Sequence, residues 1–392
     1  MKIGLIAPQD NGKTSYLVAL YAVLVQDFST RRGYPLRFSV HDPRLERWLD
    51  DRFGNLVDED LPLKSEEIAD DQRFPRGTQD EVTEYALDIT ERATGFEQRV
   101  SLVDFPGEVM RGAASEGQGD IHSEMLGQLT GCDAFIVLLD AEALLSRKRW
   151  TAKTQLSPAK IETIIRKAIA QSSYRRFSKI GVPIAFCMSM ADKVASLLSG
   201  AEDARETGYE RIVELFPSFF DSAHRHPVLV TAVSLGESIG IAPPGAPGKG
   251  GPFEPFMIEK PFEFCVAFGA LSAMTNARQM EDRWDAGADE YDSNRRRASD
   301  LDLFETIGDW FRSGASIGQT PEARWAEKRD TNRSFARSSG AEAAKFASIV
   351  SLFVEHLRDP GNASHYSIYH GGRLQELTDT IRAGELPLRP VD

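Results

Sequence analysis

The chain has 392 residues, of which 41% are hydrophobic and 27% are charged, and its formal net charge is −13. This composition is ordinary for a globular protein and long enough for one large domain and a second unit. The acidic balance argues against a broad nucleic-acid footprint and against an anionic membrane surface as the partner.

The cysteines and the apolar runs indicate the compartment. Cys132, Cys187 and Cys265 lie far apart, and their spacing fits neither a disulfide framework nor a zinc site. The first residues enter a strand-like pattern rather than a secretory signal. No apolar run reaches the roughly 18 residues that a membrane-spanning helix needs. These patterns predict reduced thiols, no membrane span and a cytoplasmic location.

Apolar runs alternate with helical patterns such as Thr14–Val25 and Ala159–Ala170. Several of the runs are continuously apolar, which is typical of strands that helices cover on both faces. The fold class predicted is therefore α/β, with a mostly parallel, doubly wound sheet flanked by helices. The predicted strands are Ile3–Ala7, Tyr85–Ile89, Val100–Val103, Ala134–Leu139, Pro183–Met188 and Val228–Val230.

The pattern changes towards the C-terminus. A Pro/Gly-rich break occupies residues 241–255, and beyond it helical spacing recurs at Leu303–Phe311 and Glu342–Leu357 without an obvious strand. The sequence therefore predicts an α/β domain over residues 1–275. It predicts a helical C-terminal region over residues 276–392, without indicating the role of that region.

The connection between the first strand and the first helix reads APQDNGKT, from Ala7 to Thr14. It follows the phosphate-binding pattern G-x-x-x-x-G-K-[ST], with Ala in place of the first Gly. In such a loop the N–H groups of a helix N-terminus face a polyphosphate, Gly12 allows close approach, Lys13 reaches the β- and γ-phosphates, and the Thr14 hydroxyl binds Mg²⁺. The alternative is a surface turn that caps a core helix. The predicted nucleotide-binding residues here are Gln9, Asp10, Asn11, Gly12, Lys13, Thr14 and Ser15.

A second candidate group follows another apolar strand. The segment SLVDFPGE ends its apolar run at Asp104 and continues with Phe, Pro and Gly. An aspartate at the tip of a neighbouring strand can hold Mg²⁺ or its waters, so that protein and phosphate share the cation. The alternative is an Asp-x-Pro-Gly turn without a functional role.

With Asp104 and Gly107 forming D-x-x-G downstream of this loop, the sequence resembles the translation-factor-related (TRAFAC) class of P-loop GTPases and similar bacterial GTPase-like proteins. The resemblance covers roughly residues 1–275 and implies a G-domain-like P-loop NTPase fold. It implies that Gly107 contacts the γ-phosphate. The following residue, Glu108, would orient the attacking water or act as a base.

The resemblance also implies a switch threonine between the loop and the D-x-x-G motif. Thr78 is the best match, as a ligand of Mg²⁺, and Thr83 is the competitor. Arg76 and Arg73 lie in the same stretch, and either could supply an arginine finger in cis. For each arginine the alternative is a solvated loop charge.

The base-reading motif of the family, [NT]-K-x-D, corresponds to Ser189-Met190-Ala191-Asp192. The resemblance implies that Asp192 receives two hydrogen bonds from a guanine edge, while Met190, in place of Lys, can cover the base. The alternative is an aspartate that caps the next helix. Thr231 and Ala232 occupy the place of the family's [ST]-A turn, the last predicted contact to the nucleotide.

Together these features predict a Mg²⁺-dependent protein that binds and hydrolyses GTP and acts as a molecular switch. The bound state would be read by the C-terminal region or by a protein partner. The alternatives are an ATPase of similar fold, favoured by the incomplete base-reading motif, a nucleotide kinase, and a nucleotide-binding scaffold with little intrinsic turnover.

Overall fold

The computed structural model divides the chain into two compact units. The first combines Met1–Gly269 with Ile349–Asp392, and the second is Ala270–Ser348. The residues that the structure describes are 1–8, 10–63, 72–74, 83–93, 95–105, 127–146, 154–171, 181–194, 202–221, 226–237, 239–240, 250–271, 282, 284–290, 327–337, 350, 352–353, 356–357, 366–370 and 373–375.

The first unit is an α/β structure, as predicted. Its strands form one sheet in the order β2-β3-β4-β1-β5-β6-β7-β8-β9. They are β1 (Lys2–Ile6), β2 (Leu36–Val40), β3 (Thr83–Glu91), β4 (Glu97–Asp104), β5 (Ala134–Asp140), β6 (Ile184–Ser189), β7 (Val228–Ala232), β8 (Tyr366–His370) and β9 (Arg373–Gln375).

The centre of the sheet is parallel. Strand β1 pairs in parallel with β4 and with β5, β5 pairs in parallel with β6, and β6 with β7. The side chains of β5, β6 and β7 are almost entirely buried, which explains why these strands are largely apolar runs rather than alternating ones. Since the strands are parallel, their carboxyl ends all lie at one edge of the sheet.

Helices and turns connect these strands. Most follow a strand's carboxyl end, as crossover connections of a parallel sheet require. They are α1 (Lys13–Tyr21), a π-helix (Ala22–Phe28), α2 (Pro43–Val57), α3 (Ala141–Leu145), α4 (Pro158–Gln171), a 3₁₀-helix (Ala191–Lys193), α5 (Glu202–Leu215) and α6 (Pro217–Phe220). Residues 260–271 are also helical. Among the described residues, no helix combines the length and the apolar character needed to cross a bilayer.

Both edges of the sheet are antiparallel, which the sequence did not predict. At one edge β2 pairs with β3, and β3 with β4; at the other, β7 pairs with β8, and β8 with β9. Strand β2 has the half-buried alternation of an edge strand, and this weak pattern was not assigned to a strand.

The C-terminal residues of the first unit therefore add strands to the sheet, and the prediction of a purely helical region from residue 276 misses them. Residues 356–357 are helical, and His356 lies beside the buried residue Lys260. Lys260 Nζ is 3.1 Å from Glu263 Oε2 and 3.5 Å from His356 Nδ1. Both Lys260 and Glu263 are fully buried. The division near residue 275 itself stays a prediction.

In the second unit the described residues are helical at 284–290 and 327–337. The rings of Trp284 and Phe335 lie 5.2 Å apart, and Phe335 is half exposed. A methyl group on Gly287 would come within 2.8 Å of the Asn332 side chain. These contacts show that the two helical segments pack closely on each other.

Candidate functional site

The loop between β1 and α1 has the backbone geometry of a tight turn into a helix. Gly12 is the residue before α1 and has φ 77° and ψ 23°, in the left-handed region that glycine adopts without strain. Asp10 also has a positive φ, 65°. Because α1 follows the carboxyl end of β1, its N-terminus lies at the carboxyl edge of the sheet, and a helix N-terminus favours an anion.

Asn11 attaches this loop to the neighbouring strand. Its side chain is buried, its Nδ2 donates to Pro8 O at 3.3 Å, and its Oδ1 accepts from the N–H of Asp140 at 2.7 Å. Asp140 ends β5 and its Oδ1 accepts from Ala143 N at 2.8 Å, which caps α3. Asn11 therefore holds the loop in register with β5, a structural role that the sequence did not reveal.

Lys13 pairs with the strand-end aspartate. Its Nζ is 3.2 Å from Asp104 Oδ1 and also donates to the carbonyl oxygen of Phe105. The Lys13 side chain is 9% exposed and the Asp104 side chain 0%. The structure thus brings together the predicted phosphate-binding lysine and the predicted metal-binding aspartate. Thr14, the predicted partner of Asp104 at the metal, is buried in the first turn of α1, and Ser15 is half-buried.

Asp192 lies at the same edge of the sheet, in the short helix after β6. It is buried, and its Oδ1 accepts from the Ser234 hydroxyl at 3.0 Å. A methyl group on Gly240 would lie 3.4 Å from Asp192 Oδ2. Burial raises the pKa of Asp192, while the hydrogen bond from Ser234 acts in the opposite direction. A carboxylate held in this way can accept hydrogen bonds from a ligand that replaces the lost hydration.

The residues before Asp192 approach the phosphate-binding loop. Met190 has φ 53°, an uncommon conformation for a residue other than glycine, and its Cγ would lie 4.0 Å from a methyl group on Gly12. Ser189 is buried, and its hydroxyl has no hydrogen-bond partner within the part of the chain that the structure describes. The loops after β1 and β6 therefore lie close together at this edge of the sheet.

Lys193, in the loop after β6, also lies close to the end of β5. Its Nζ is 3.7 Å from Asp140 Oδ2, and both side chains are partly exposed. Because Asp140 N–H binds Asn11, the aspartate contacts the segments that follow β1 and β6. Asp140 is therefore the junction of the two candidate binding loops.

Thr231 and Ala232, the predicted nucleotide contacts at the end of β7, stay predictions. Thr231 and Ala232 are fully buried within the strand. The hydroxyl that reaches Asp192 belongs to Ser234, which the sequence analysis did not select. Ser234 also exchanges two backbone hydrogen bonds with Phe256, and this long-range bridge has no local sequence signal.

Five predicted site residues, Gln9, Arg76, Thr78, Gly107 and Glu108, lie outside the described residues. Thr83, the competitor of Thr78, is the first residue of β3 and pairs with Asp104 in the sheet register. Arg73, the competitor of Arg76, is fully buried. It is therefore not the solvated loop charge that the sequence analysis considered.

A Mg²⁺ ion needs few protein ligands when it is shared with a nucleotide, because phosphate oxygens and water complete its shell. Within the described ranges, no group of three or more His, Cys, Asp or Glu side chains is arranged to hold a metal. The carboxylate of Asp104 and the hydroxyl of Thr14 fit the smaller set that a shared ion requires. They do not form a site for a metal bound by protein alone.

Comparison of the sequence with protein-family models gave no match, and neither did comparison with curated proteins. The geometry of the loop, the Lys13–Asp104 pair and the Asp192 carboxylate therefore carry the functional argument.

Proposed function

We propose that this protein is a P-loop GTPase of G-domain-like fold that binds and hydrolyses GTP with Mg²⁺ and works as a molecular switch. The observation that carries the proposal is the Lys13–Asp104 pair at the carboxyl edge of the sheet, directly after the glycine turn at Gly12. A lysine at a helix N-terminus beside a buried aspartate is suited to a polyphosphate–Mg²⁺ pair. It would exchange the aspartate for phosphate when a nucleotide binds.

The chain's own residues have separate roles in this proposal. The N–H groups that begin α1 and the Lys13 ammonium bind the phosphates, while Asp104 and Thr14 hold the cation. Mg²⁺ neutralises charge that develops between the transferred phosphoryl group and the leaving group. Asp192, oriented by Ser234, accepts hydrogen bonds from the base. Thr78, Arg76, Gly107 and Glu108 remain predicted contributors to the γ-phosphate side.

Burial of the base-reading carboxylate supports guanine as the base. Guanine offers two adjacent donors, N1–H and N2–H, and Asp192 presents a carboxylate whose ionisation is disfavoured by burial until donors reach it. An ATPase is the second candidate because Met190 replaces the family's lysine, and an apolar side chain covers adenine and guanine equally.

The proposal also includes a role as a molecular switch and a cytoplasmic location. The bound nucleotide would order the segments next to the γ-phosphate, and a protein partner or the C-terminal region would read that order. The three cysteines are buried and free, and burial raises the pKa of the Cys187 and Cys265 thiols. Such inert thiols are compatible with the proposed cytoplasmic location.

Calorimetric titration with GTP, GDP and a non-hydrolysable ATP analogue, each with Mg²⁺, tests the proposal. The variants are Lys13→Ala and a matched control, Lys167→Ala, which removes an exposed lysine on α4. We expect GTP to bind far better than the ATP analogue, and Lys13→Ala alone to lose the binding. Preference for the ATP analogue would select the ATPase, and absence of binding by either nucleotide would refute the proposal.

Turnover then distinguishes an enzyme from a scaffold. Phosphate release from GTP is measured with Mg²⁺, with a chelator, and after addition of cell extract. Release that needs Mg²⁺ supports the GTPase, and stimulation by extract supports a partner-activated switch. Tight binding without release in every condition would replace the enzyme by a nucleotide-binding scaffold.

A further inference from the structure

Arg73 is a fully buried cation that is anchored at one end only. Its backbone N–H donates to Pro62 O at 2.8 Å, and its Nε donates to Leu56 O at 2.8 Å in the last turn of α2. The two residues that flank Arg73 also bind each other, since Gln72 Nε2 donates to Phe74 O at 2.6 Å. The backbone and the Nε atom of the arginine are therefore fixed by hydrogen bonds.

The terminal edge of Arg73 has no partner among the described residues. Both Nη1 and Nη2 of Arg73 are buried, and neither makes a hydrogen bond there. A guanidinium stays protonated, so that burial cannot be relieved by loss of the proton. Asp58 and Glu59 attract the cation, but both side chains are exposed and neither accepts a hydrogen bond from the terminal nitrogens. A buried cation whose N–H donors are unused is stabilised when an oxygen ligand accepts hydrogen bonds from them.

The surroundings of Arg73 continue to the candidate nucleotide site. Leu63 follows the proline that binds the Arg73 backbone, and its Cδ2 would lie 2.8 Å from a methyl group on Gly250. The same methyl group would overlap the carbonyl of Ile239, the residue before Gly240. Gly240 in turn contacts Asp192. This series of contacts leads from the segment after α2 to the base-reading carboxylate.

We propose that the Nη1–Nη2 edge of Arg73 is an oxyanion site that binds a phosphate group. The two terminal nitrogens present parallel N–H donors, the geometry in which arginine binds two oxygens of one phosphate. Its phosphate is either free inorganic phosphate or the terminal phosphate of a bound nucleotide. A site for free phosphate goes beyond the proposed function, since it needs neither the glycine turn nor Lys13, whereas a site for the nucleotide rests on the proposed function.

Inorganic phosphate alone tests the site in the full-length protein. The background carries Lys13→Met and Asp104→Asn together, which removes the charged pair of the phosphate-binding loop without leaving one member buried alone. Into it are placed Arg73→Met, Arg73→Lys and the control Arg47→Met, an exposed arginine on α2. The thermal unfolding midpoint is recorded with phosphate and with chloride at equal ionic strength.

We expect phosphate to raise the midpoint in the background and in Arg47→Met, and to have little effect on Arg73→Met. Because charge-assisted bidentate bonds are lost, the affinity of Arg73→Met for phosphate should be lower roughly tenfold to a hundredfold. Arg73→Lys keeps the charge but not the paired donors, so that it also loses most of the shift. Without phosphate, Arg73→Met should be at least as stable as the background, because an unpaired buried cation has been removed.

Two results would overturn the proposal. One is the absence of a phosphate shift in the background; the other is a shift that Arg73→Met retains. If Arg73→Met does not fold, Arg73→Lys decides in its place. The source of the phosphate is then determined by measuring GTP and GDP affinities in otherwise wild-type protein. A loss of GTP affinity with unchanged GDP affinity in Arg73→Met identifies the nucleotide, and equal affinities identify free phosphate.

Discussion

Replacement of Lys13 by methionine should destabilise the folded protein even when no nucleotide is present. The ammonium and the Asp104 carboxylate are 3.2 Å apart, and their side chains are 9% and 0% exposed. At an effective dielectric constant of about 20, their attraction is about 5 kcal/mol. Lys13→Met leaves Asp104 buried without this partner, a change that typically costs about 3–5 kcal/mol of unfolding free energy.

Denaturant unfolding followed by circular dichroism measures this cost in Lys13→Met, in Asp104→Asn and in the double variant. The double variant should lie within about 1 kcal/mol of wild type, because neutral residues replace both charges. Lys2→Met is the matched control. Lys2 pairs with Glu84 at 2.9 Å, but both side chains are more than a third exposed, so that this pair should contribute about 1 kcal/mol or less.

The reasoning fails if the two single substitutions add up in the double variant, because additivity means that the side chains do not interact. It also fails if Lys13→Met costs no more than Lys2→Met. Either result would place the Lys13 ammonium away from Asp104 and would remove the observation on which the proposed function depends.

Three further variants test other contacts. Burial raises the pKa of Asp192, so that the folded state keeps this proton to higher pH than the unfolded chain. The free energy of unfolding should therefore fall as the pH rises through the interval between the two pKa values. Asp192→Asn should flatten this fall, measured by denaturant titrations at acidic and neutral pH, and should also lose GTP affinity. Asn11→Ala should cost about 1–3 kcal/mol, because the Asp140 N–H loses its acceptor. Lys260→Met should cost about 3–5 kcal/mol, and adding Glu263→Gln should recover most of it. An unchanged pH slope, an Asn11→Ala variant as stable as wild type, or no recovery would contradict the respective contact.

The central strands could be predicted because their residues are buried on both faces. Strand β5 was expected at Ala134–Leu139 and lies at Ala134–Asp140, and β6 and β7 agree similarly. A run of apolar residues records such burial directly in the sequence. The same argument placed Lys13 and Asp104 at one edge, since parallel strands end together, although the sequence alone did not show that the two side chains pair.

The edges of the sheet were harder to predict because edge strands are short and only partly buried. Strand β8 reads YSIYH, and its partner β9 has three residues. The sequence Gly371-Gly372 between them is a hairpin signal that could have revealed the pair. The stretch before this hairpin, Glu342–Leu357, has helical spacing, which obscures the signal.

Contacts between distant segments could not be predicted from local patterns. The hydroxyl of Ser234 reaches Asp192 and its backbone pairs with Phe256, and the guanidinium of Arg73 binds the carbonyl oxygen of Leu56, 17 residues earlier. Neither residue stands out in its own stretch of sequence. Single polar side chains become recognisable as site residues only when the partners that bury them are known.

The pairing of β7 with β8 has a consequence for how the chain acquires its structure. Val228 pairs with Tyr369, and the whole of the second unit lies between them along the chain. During synthesis this edge of β7 therefore stays unpaired until β8, more than 130 residues later in the chain, has left the ribosome. An unpaired edge of this kind can add strands from other chains. Assembly of the first unit should thus be slow and sensitive to chaperones, whereas the second unit can fold earlier from contiguous residues.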